Sequence, residues 1–287
     1  MSDISCMSFN LLSYDTHKSG FEPPADRFPY VLATIDKYAP DLLGVQEACE
    51  KDSGGASVFD WYSEMIAAMD ERGYAFSSLK SHGEAFEREK QNIGCGLIIF
   101  YKKDRFTLND SGLYQFPHDK VRFYHWVKLT DEKYGRSVLF TNTHFSINQK
   151  VVDARVSVAG NAFRTVEAVR LINFWAENCP PDTALFATGD YNSIPSADPQ
   201  VVLRSKQFQP SNLVAKEWDD CGSMYSSRQF YTLDFCYVNP EATDIDAYRV
   251  IRDTFPSDAD CKLAGYPSDH RAIMTYATYK TELPEIE

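Results

Sequence analysis

Long hydrophobic runs are absent from this sequence of 287 residues, and no apolar stretch reaches the length needed to cross a bilayer. Internal repeats, low-complexity tracts and Gly/Ser-rich linkers are also absent, so we expect one domain over residues 1–287. Paired metal-type spacing is absent from the cysteines, which number seven, an odd count. We therefore expect a reducing, cytoplasmic setting, and we leave open that an export peptide was trimmed from the chain.

Positive charge is also in short supply. The chain has 29 Lys and Arg residues against 41 Asp and Glu residues, a net charge of −12, and a pI near 5.0. This balance argues against a protein that coats nucleic acid through broad electrostatic attraction. A nuclease stays possible, because a divalent ion and a few local cations can hold one phosphate. The basic clusters are small, and solvated turns or edge strands are their simplest interpretation.

Polar motifs stand mostly where apolar runs end. Each apolar run predicts a buried strand, so each motif places an acid, an amide or an imidazole at a strand tip. The motifs are Phe9-Asn10, Gln46-Glu47, Asn142-Thr143-His144, Gly189-Asp190-Tyr191-Asn192, Leu233-Asp234 and Ser268-Asp269-His270. Together they offer oxygen ligands for a hard cation and two histidines for proton or phosphate chemistry. This inventory is typical of metal-assisted phosphate-ester hydrolysis.

The first part of the chain predicts a strand, a helix and a second strand. The first strand covers residues 4–9, the helix begins after Asp26 as its N-cap and runs to about Tyr38, and the second strand covers residues 42–45. A helical crossover of this kind predicts that the two strands are parallel neighbours. Residues 121–129 and 137–143 predict a hairpin further along.

The longest predicted helix covers residues 158–178, with Phe163, Val166, Val169 and Phe174 at helical intervals, which predicts that they form its apolar side. Residues 81–92 are rich in charge and show no clear hydrophobic period. They predict a surface loop beside the strand tips that carry the polar motifs. Two strand-rich halves, each with its own helices, predict an α/β fold. The expected architecture is a four-layer α/β/β/α sandwich, in which two mixed β-sheets pack face to face and helices cover the outside.

Neighbouring residues on a strand face opposite ways, so Asp269 and His270 in the last motif should have different partners. His270 then takes its orienting acid from elsewhere, and Asp234 is the candidate, while Asp269 faces a metal. In an extended segment Asp190 and Asn192 point the same way, so a carboxylate and an amide share one side. Taken singly, each of these motifs is also what an ordinary turn or cap contains.

Taken in order, the motifs resemble the endonuclease/exonuclease/phosphatase superfamily, which has the deoxyribonuclease-I-like fold. The resemblance implies a Mg²⁺ site, with Mn²⁺ as a possible substitute, formed by Asn10, Glu47 and Asp269. It further implies that Asp190 and Asn192 act on the attacking water. The remaining implied residues are Asp234 and His270 as the acid–imidazole pair at the phosphate, His144 as the second histidine, and Arg122 and Arg164 as substrate-binding cations.

The resemblance implies a metal-dependent phosphodiesterase that cleaves nucleic acid or a small nucleotide-like diester. We also expect the protein to be a monomer. Phe9 and Ala48 depart from the apurinic-site endonuclease pattern, which has Trp and Lys there, and the inositol-phosphatase signatures are missing. Ser146 stands where many bacterial members have an acid. Two alternatives stay open: a phosphatase or phospholipase acting on sugar, inositol or sphingolipid phosphates, and a catalytically silent binding module.

Overall fold

Two large β-sheets contain most of the strands. In the computed structural model, residues 2–13, 20–51, 58–78, 96–116, 122–147, 158–219, 222–225 and 230–281 are described. The surface loop predicted over residues 81–92 lies outside these ranges. No helix in the described ranges combines the length and the apolar character that a membrane span requires.

The described ranges contain the following helices and strands. The helices are α1 (Pro24–Tyr38), α2 (Trp61–Glu71), α3 (Val158–Asn178), α4 (Asp198–Leu203) and α5 (Ser211–Val214). The strands of the first half are β1 (Ile4–Asn10), β2 (Leu42–Gln46), β3 (Tyr74–Ser78), β4 (Ile98–Lys102), β5 (Phe106–Gln115), β6 (Phe123–Asp131) and β7 (Arg136–His144). Those of the second half are β8 (Ala184–Asp190), β9 (Gln209–Pro210), β10 (Glu217–Trp218), β11 (Met224–Tyr225), β12 (Phe230–Tyr231), β13 (Asp234–Val238), β14 (Thr243–Val250) and β15 (Ile273–Tyr279).

Both large sheets are mixed. The first has the strand order β10-β14-β15-β1-β2-β4-β3, and the second has the order β5-β6-β7-β8-β13-β9. Strands β1 and β2 are parallel neighbours, as the crossover predicted, and β6 and β7 form the predicted antiparallel hairpin. A short pair, β11 and β12, forms a separate two-stranded sheet.

Three apolar clusters separate four layers. Side chains such as Leu42 and Phe140 fill the space between the two sheets. Helices α1 and α2 cover the outer face of the first sheet, where Val31 packs with strand residues. Helix α3 covers the outer face of the second sheet, with Trp175 buried against it. The predicted α/β/β/α sandwich is therefore confirmed.

The apolar side of α3 was predicted wrongly for three of its four residues, since Phe174 packs against the core but the others do not. Phe163, Val166 and Val169 are 48%, 44% and 41% exposed, whereas Leu171 and Trp175 are completely buried. The helix has apolar residues around much of its circumference, so spacing alone did not select the face that meets the sheet. The predicted start of helix α1, after Asp26 as its N-cap, was also wrong.

Helix α1 begins at Pro24, after Pro23 at the N-cap position. Asp26 lies inside the first turn, where a carboxylate is favoured by the helix dipole. Proline at the first helical position needs no hydrogen-bond donor and already has a helical φ, so it starts the helix without a side-chain cap.

Alternation along the strands determines which residues reach the site. In β1, Cys6 faces the other sheet, whereas Met7 and Phe9 face the outer helices. Asn10, at the end of the same strand, therefore points between the sheets. The tip of β1 delivers a buried amide to the space between the two sheets.

Amide side chains connect the two sheets just beneath the strand tips. Gln46 Nε2 donates a 2.6 Å hydrogen bond to Asn142 Oδ1, and Asn142 Nδ2 donates a 2.8 Å bond to the Val45 carbonyl. Gly44 permits this close approach, because a Cβ there would stand 2.0 Å from Thr188 Oγ1. The contact fixes the distance between the sheets directly beneath the site.

Candidate active site

Three side chains from neighbouring strands of the second sheet lie side by side. His144 at the end of β7 is in register with Asp190 at the end of β8, and Asp190 is in register with Asp234 at the start of β13. All three are buried. The strand pairing itself therefore places an imidazole and two carboxylates at one level.

The expected contact between Asp234 and His270 is present. Asp234 Oδ2 lies 2.8 Å from His270 Nδ1, although 36 residues separate the two in sequence. Ser223 Oγ accepts the backbone N–H of Asp234 at 3.0 Å, and Ser268 Oγ accepts that of His270 at 3.1 Å. Both members of the pair are thus fixed by serine hydroxyls.

The surroundings of His270 favour its charged form. Burial opposes the imidazolium, but the carboxylates of Asp234, Asp190 and Asp269 and the hydrogen bond with Asp234 raise the pKa of His270 well above its usual value. With Nδ1 donating to Asp234, Nε2 faces the carboxylate of Asp190 at 3.8 Å. His270 is therefore a positively charged donor at the centre of the site.

Asp190 is the carboxylate that the other groups surround. Its Oδ2 lies 3.3 Å from His144 Nε2 and 3.2 Å from Asn10 Nδ2, and its Oδ1 accepts the Asn192 N–H at 2.8 Å. Burial disfavours its charge, but the hydrogen bond from His144 and the charges of His144 and His270 lower the pKa of Asp190. Asp190 is thus an ionised acceptor at neutral pH.

Asn192 reaches the site differently from the prediction. Strand β8 ends at Asp190, and Asn192 has a left-handed backbone with a φ of 45°. Its backbone N–H binds Asp190, while its side-chain Nδ2 donates to the Phe145 carbonyl at 2.9 Å. The extended geometry that would place both side chains on one side therefore does not continue to Asn192.

The predicted metal residues lie together next to Asp190. Glu47 follows β2 with a φ of 61°, and its Oε1 accepts a 3.2 Å hydrogen bond from Asn10 Nδ2. A left-handed residue that is not glycine is uncommon, and here it ends the alternation of β2 at the candidate ligand. The Asn10 oxygen accepts the Leu12 N–H at 3.1 Å, so the amide presents its nitrogen to the carboxylates.

Charge crowding makes this group suitable for a cation. Burial raises the pKa of Asp269 to about 6; His270 and Arg27 oppose the rise, and the charges of Glu47 and Asp190 add to it. Carboxylate oxygens are the ligands that Mg²⁺ and Mn²⁺ prefer, and a divalent ion would relieve the repulsion between them. The donor set therefore fits the cation that the resemblance implied.

A second group could also hold a cation. Ligand atoms of Asp190, Asp234 and His270 lie within 4.8 Å of one another, and all three residues are buried. Asp234 Oδ1 has no hydrogen-bond partner in the described part of the chain. The existing hydrogen bond between His270 and Asp234 competes with metal ligation at this position.

A sequence profile of the Endonuclease/Exonuclease/phosphatase family matches residues 7–270, which include every site residue named above. The chain belongs to this family. The family comprises phosphoester hydrolases. A search among curated proteins finds no match.

Solved structures share the fold of this family member. An endonuclease/exonuclease/phosphatase family protein from Bacteroides thetaiotaomicron is 18% identical, with a TM-score of 0.76 over 99% of this chain and 98% of that one. A mannosyl-6-phosphatase from Bacteroides thetaiotaomicron VPI-5482 is 18% identical, with a TM-score of 0.73 over 96% of this chain and 100% of that one. TDP2 of D. rerio, complexed with single-strand DNA product, is 17% identical, with a TM-score of 0.67 over 96% and 98%. At these identities the structures establish the fold, and the profile establishes the family.

The two arginines predicted to bind substrate are both buried in this family member. Arg164, on α3, is 3% exposed and donates a 3.2 Å hydrogen bond to the Ser146 carbonyl through Nη1. Glu167, one turn later, accepts hydrogen bonds from the Ser146 N–H and hydroxyl. Arg122 is 6% exposed, immediately before β6. A role of either arginine in substrate binding stays a prediction.

Sequence reasoning missed one buried cation beside the site. Arg27, on α1, is fully buried, and its guanidinium binds four backbone carbonyl oxygens. A signal was present, because Arg27 lies on the same helical stripe as Val31 and Ile35, two apolar residues that are buried. An arginine on a buried stripe needs partners, and here they are the loops that carry the site.

Proposed function

We propose that this chain is a divalent-metal-dependent phosphodiesterase whose catalytic domain covers residues 1–287. The observation that carries the proposal is the position of Asp190, an ionised carboxylate 3.3 Å from His144 and 3.8 Å from His270, beside the acid group that fits a cation. Few structural roles require two imidazoles around one buried acid. Membership of a family of phosphoester hydrolases supports the same chemistry.

In this proposal each side chain has a defined task. Asp190 accepts a hydrogen bond from the attacking water and takes its proton. His270, held in its charged form by Asp234, donates through Nε2 to a phosphate oxygen, and His144 stabilises the same developing charge from the other side of Asp190. Asn192 holds Asp190 through its backbone N–H.

Glu47 and Asp269 are the residues that would hold Mg²⁺ or Mn²⁺. Asn10, predicted as a third metal residue, would instead support Glu47 through its amide nitrogen, because its oxygen accepts the Leu12 N–H. The ion would neutralise negative charge on the phosphate and on the leaving oxygen. Asn10 links Glu47 to Asp190 through one amide nitrogen, so the metal side and the water side of the site keep a fixed separation.

A nucleotide-like phosphodiester or nucleic acid is the proposed substrate. A second candidate is a phosphatase acting on a small substrate such as a sugar phosphate. Two observations favour it: the net charge is −12, and Arg122 and Arg164 are buried, so neither offers an exposed cation to an extended phosphate backbone. The mannosyl-6-phosphatase with the same fold acts on a substrate of that size. We propose that the protein works as a cytoplasmic monomer.

The first experiment measures hydrolysis of bis-p-nitrophenyl phosphate with Mg²⁺ or Mn²⁺. Asp190→Ala and His270→Ala should each lower kcat by about a hundredfold or more, because each removes a group that acts on the reacting atoms. Asp36→Ala, at an exposed acid on α1 that pairs with Arg72, is the matched control and should keep wild-type activity. Unchanged turnover in either site variant would end the proposed mechanism.

A substrate panel then separates the two candidates. Single-stranded DNA, RNA, a sugar phosphate, inositol phosphates and sphingomyelin are compared under the same metal conditions. Cleavage of the nucleic acids supports the diesterase, whereas cleavage of the sugar phosphate alone supports the phosphatase. Chelation by EDTA should abolish every activity, and added Mn²⁺ should restore it.

A further inference from the structure

Arg27 joins three separate segments of backbone. Its Nη1 donates to the carbonyl oxygens of Leu11 at 3.0 Å and Pro267 at 2.6 Å. Its Nη2 donates to Leu12 at 2.6 Å, and its Nε donates to Glu22 at 3.0 Å. Since none of the guanidinium is exposed, these bonds form without competition from water.

The first of these segments supports the metal side of the site. Leu12 has a left-handed φ of 53°, and its N–H donates to the Asn10 oxygen. The next residue, Ser13, donates its N–H to Glu47 Oε2 at 3.2 Å. By binding the carbonyls of Leu11 and Leu12, Arg27 holds the turn whose N–H groups orient both Asn10 and Glu47.

The second segment supports the acid–imidazole side. Pro267 directly precedes Ser268, whose hydroxyl donates to the Asn10 carbonyl at 2.7 Å and accepts the His270 N–H. Asp269 lies between these two residues. A shift of the Pro267 carbonyl would therefore move Asp269 and His270 relative to Asn10.

The charge of Arg27 complements the same two acids. Its electrostatic partners are Asp269, Glu47 and Glu22, and although burial lowers the pKa of Arg27 to about 10, the group stays charged at neutral pH. The guanidinium also lies 5.4 Å from the centre of the Trp61 ring. A planar guanidinium offers five donors in fixed directions, whereas a lysine ammonium offers three on a flexible stem.

We propose that Arg27 is a positioning residue that fixes Glu47 and the Asp269–His270 segment in one geometry for metal binding. The consequence for catalysis rests on the proposed function and the consequence for metal binding rests on the metal site proposed with it, but the consequence for backbone order rests on neither. When a residue that holds a metal ligand in place is removed, the affinity for the metal commonly falls by about 10- to 100-fold.

The test uses the full chain as wild type and as Arg27→Lys, Arg27→Met and Val31→Ala. Val31 is buried one helical turn from Arg27 and contacts the apolar core, so its truncation destabilises the same helix without touching the site. Calorimetry measures Mn²⁺ binding to metal-free protein, and hydrogen exchange follows the amides of Ser13 and His270. Both Arg27 variants should raise the Mn²⁺ dissociation constant by about tenfold or more and speed exchange at both amides.

Val31→Ala should leave Mn²⁺ affinity and both exchange rates near the wild-type values. Wild-type behaviour of Arg27→Lys would overturn the proposal, because it would mean that charge alone matters. Equal losses in Val31→Ala would overturn it too, since they would reflect general destabilisation.

A measurement on the wild type decides the matter if the Arg27 variants do not fold. Mn²⁺ should then protect the Ser13 and His270 amides together, and protection of only one of them would overturn the proposal. Absence of phosphodiester hydrolysis in a wild type that shows the expected Mn²⁺ binding and exchange would refute the proposed function and leave the role of Arg27 supported.

Discussion

Replacing Asp269 by Asn should stabilise the metal-free protein and weaken its response to metal. The reason is the crowding of carboxylates around Asp269, where burial and the charges of Glu47 and Asp190 make ionisation unfavourable. Asparagine keeps the shape of the side chain and removes the charge. The same change takes away an oxygen anion that a divalent cation would bind.

The size of the effect follows from the pKa. Burial raises the pKa of Asp269 from 3.8 to about 6. A rise of about two units corresponds to about 3 kcal/mol lost from the free energy of unfolding when Asp269 is ionised. For a domain of this size, Asp269→Asn should then raise Tm by about 6 °C at neutral pH in EDTA.

The pH dependence has a defined sign. Below about pH 4, Asp269 is protonated in both the folded and the unfolded state, so variant and wild type should match. As pH rises from about 4 to 6, the unfolded chain loses the proton while the folded protein keeps it, so the wild type loses stability relative to the variant. Above about pH 6 the difference should stay constant.

Thermal unfolding measured in EDTA between pH 4 and 8, and again in Mn²⁺, checks this reasoning. Mn²⁺ should stabilise the wild type by binding preferentially to its folded state, and it should stabilise the variant less. The difference between the two melting temperatures should therefore become smaller or change sign. Asp258→Asn, at an exposed acid, is the matched control. An Asp269→Asn protein that is less stable than wild type in EDTA at pH 7.5 would refute the account.

Two further predictions concern the contact between the sheets. Asn142→Ala should lower the free energy of unfolding by about 2–4 kcal/mol in urea denaturation, because it removes three buried hydrogen bonds, one from the Gln46 amide to Asn142 and two from Asn142 to backbone carbonyls; a loss below about 0.5 kcal/mol would contradict the bridging role. Gly44→Ala should cost about 2–3 kcal/mol, since its Cβ would stand 2.0 Å from Thr188 Oγ1. Adding Thr188→Ala should recover part of that loss, and strictly additive effects would speak against the steric explanation.

Much of the fold was predictable because strand tips carry their own signals. The strand containing Phe9 ends in an amide, and the alternation of β1 sends Asn10 inward and Phe9 outward, as a period of two requires. The pairing of Asp234 with His270 was also predicted and is present, although residues 268–270 precede β15 and their strand alternation was an assumption. The inward position of Asn10 depends on local geometry alone.

The features that could not be predicted depend on tertiary contacts, which the spacing of residues in the sequence does not encode. Helix α3 is apolar on more than one side, so Val166 and Leu171 fit helical periodicity equally well, and only the position of the sheet decides between them. The left-handed backbone of Glu47 has no marker in the sequence, whereas that of Asn192 has a weak one, since asparagine adopts this conformation more often than most other residues. The partners of Arg27 are backbone carbonyls, which any residue can supply.

Anomalous diffraction from crystals soaked in Mn²⁺ tests the central claim most directly. The account predicts a peak bonded to the Glu47 carboxylate at about 2.1 Å and adjacent to Asp269, on the opposite side of Asn10 from Asp190. A peak only among Asp190, Asp234 and His270, or only on surface acids at saturating Mn²⁺, would contradict it.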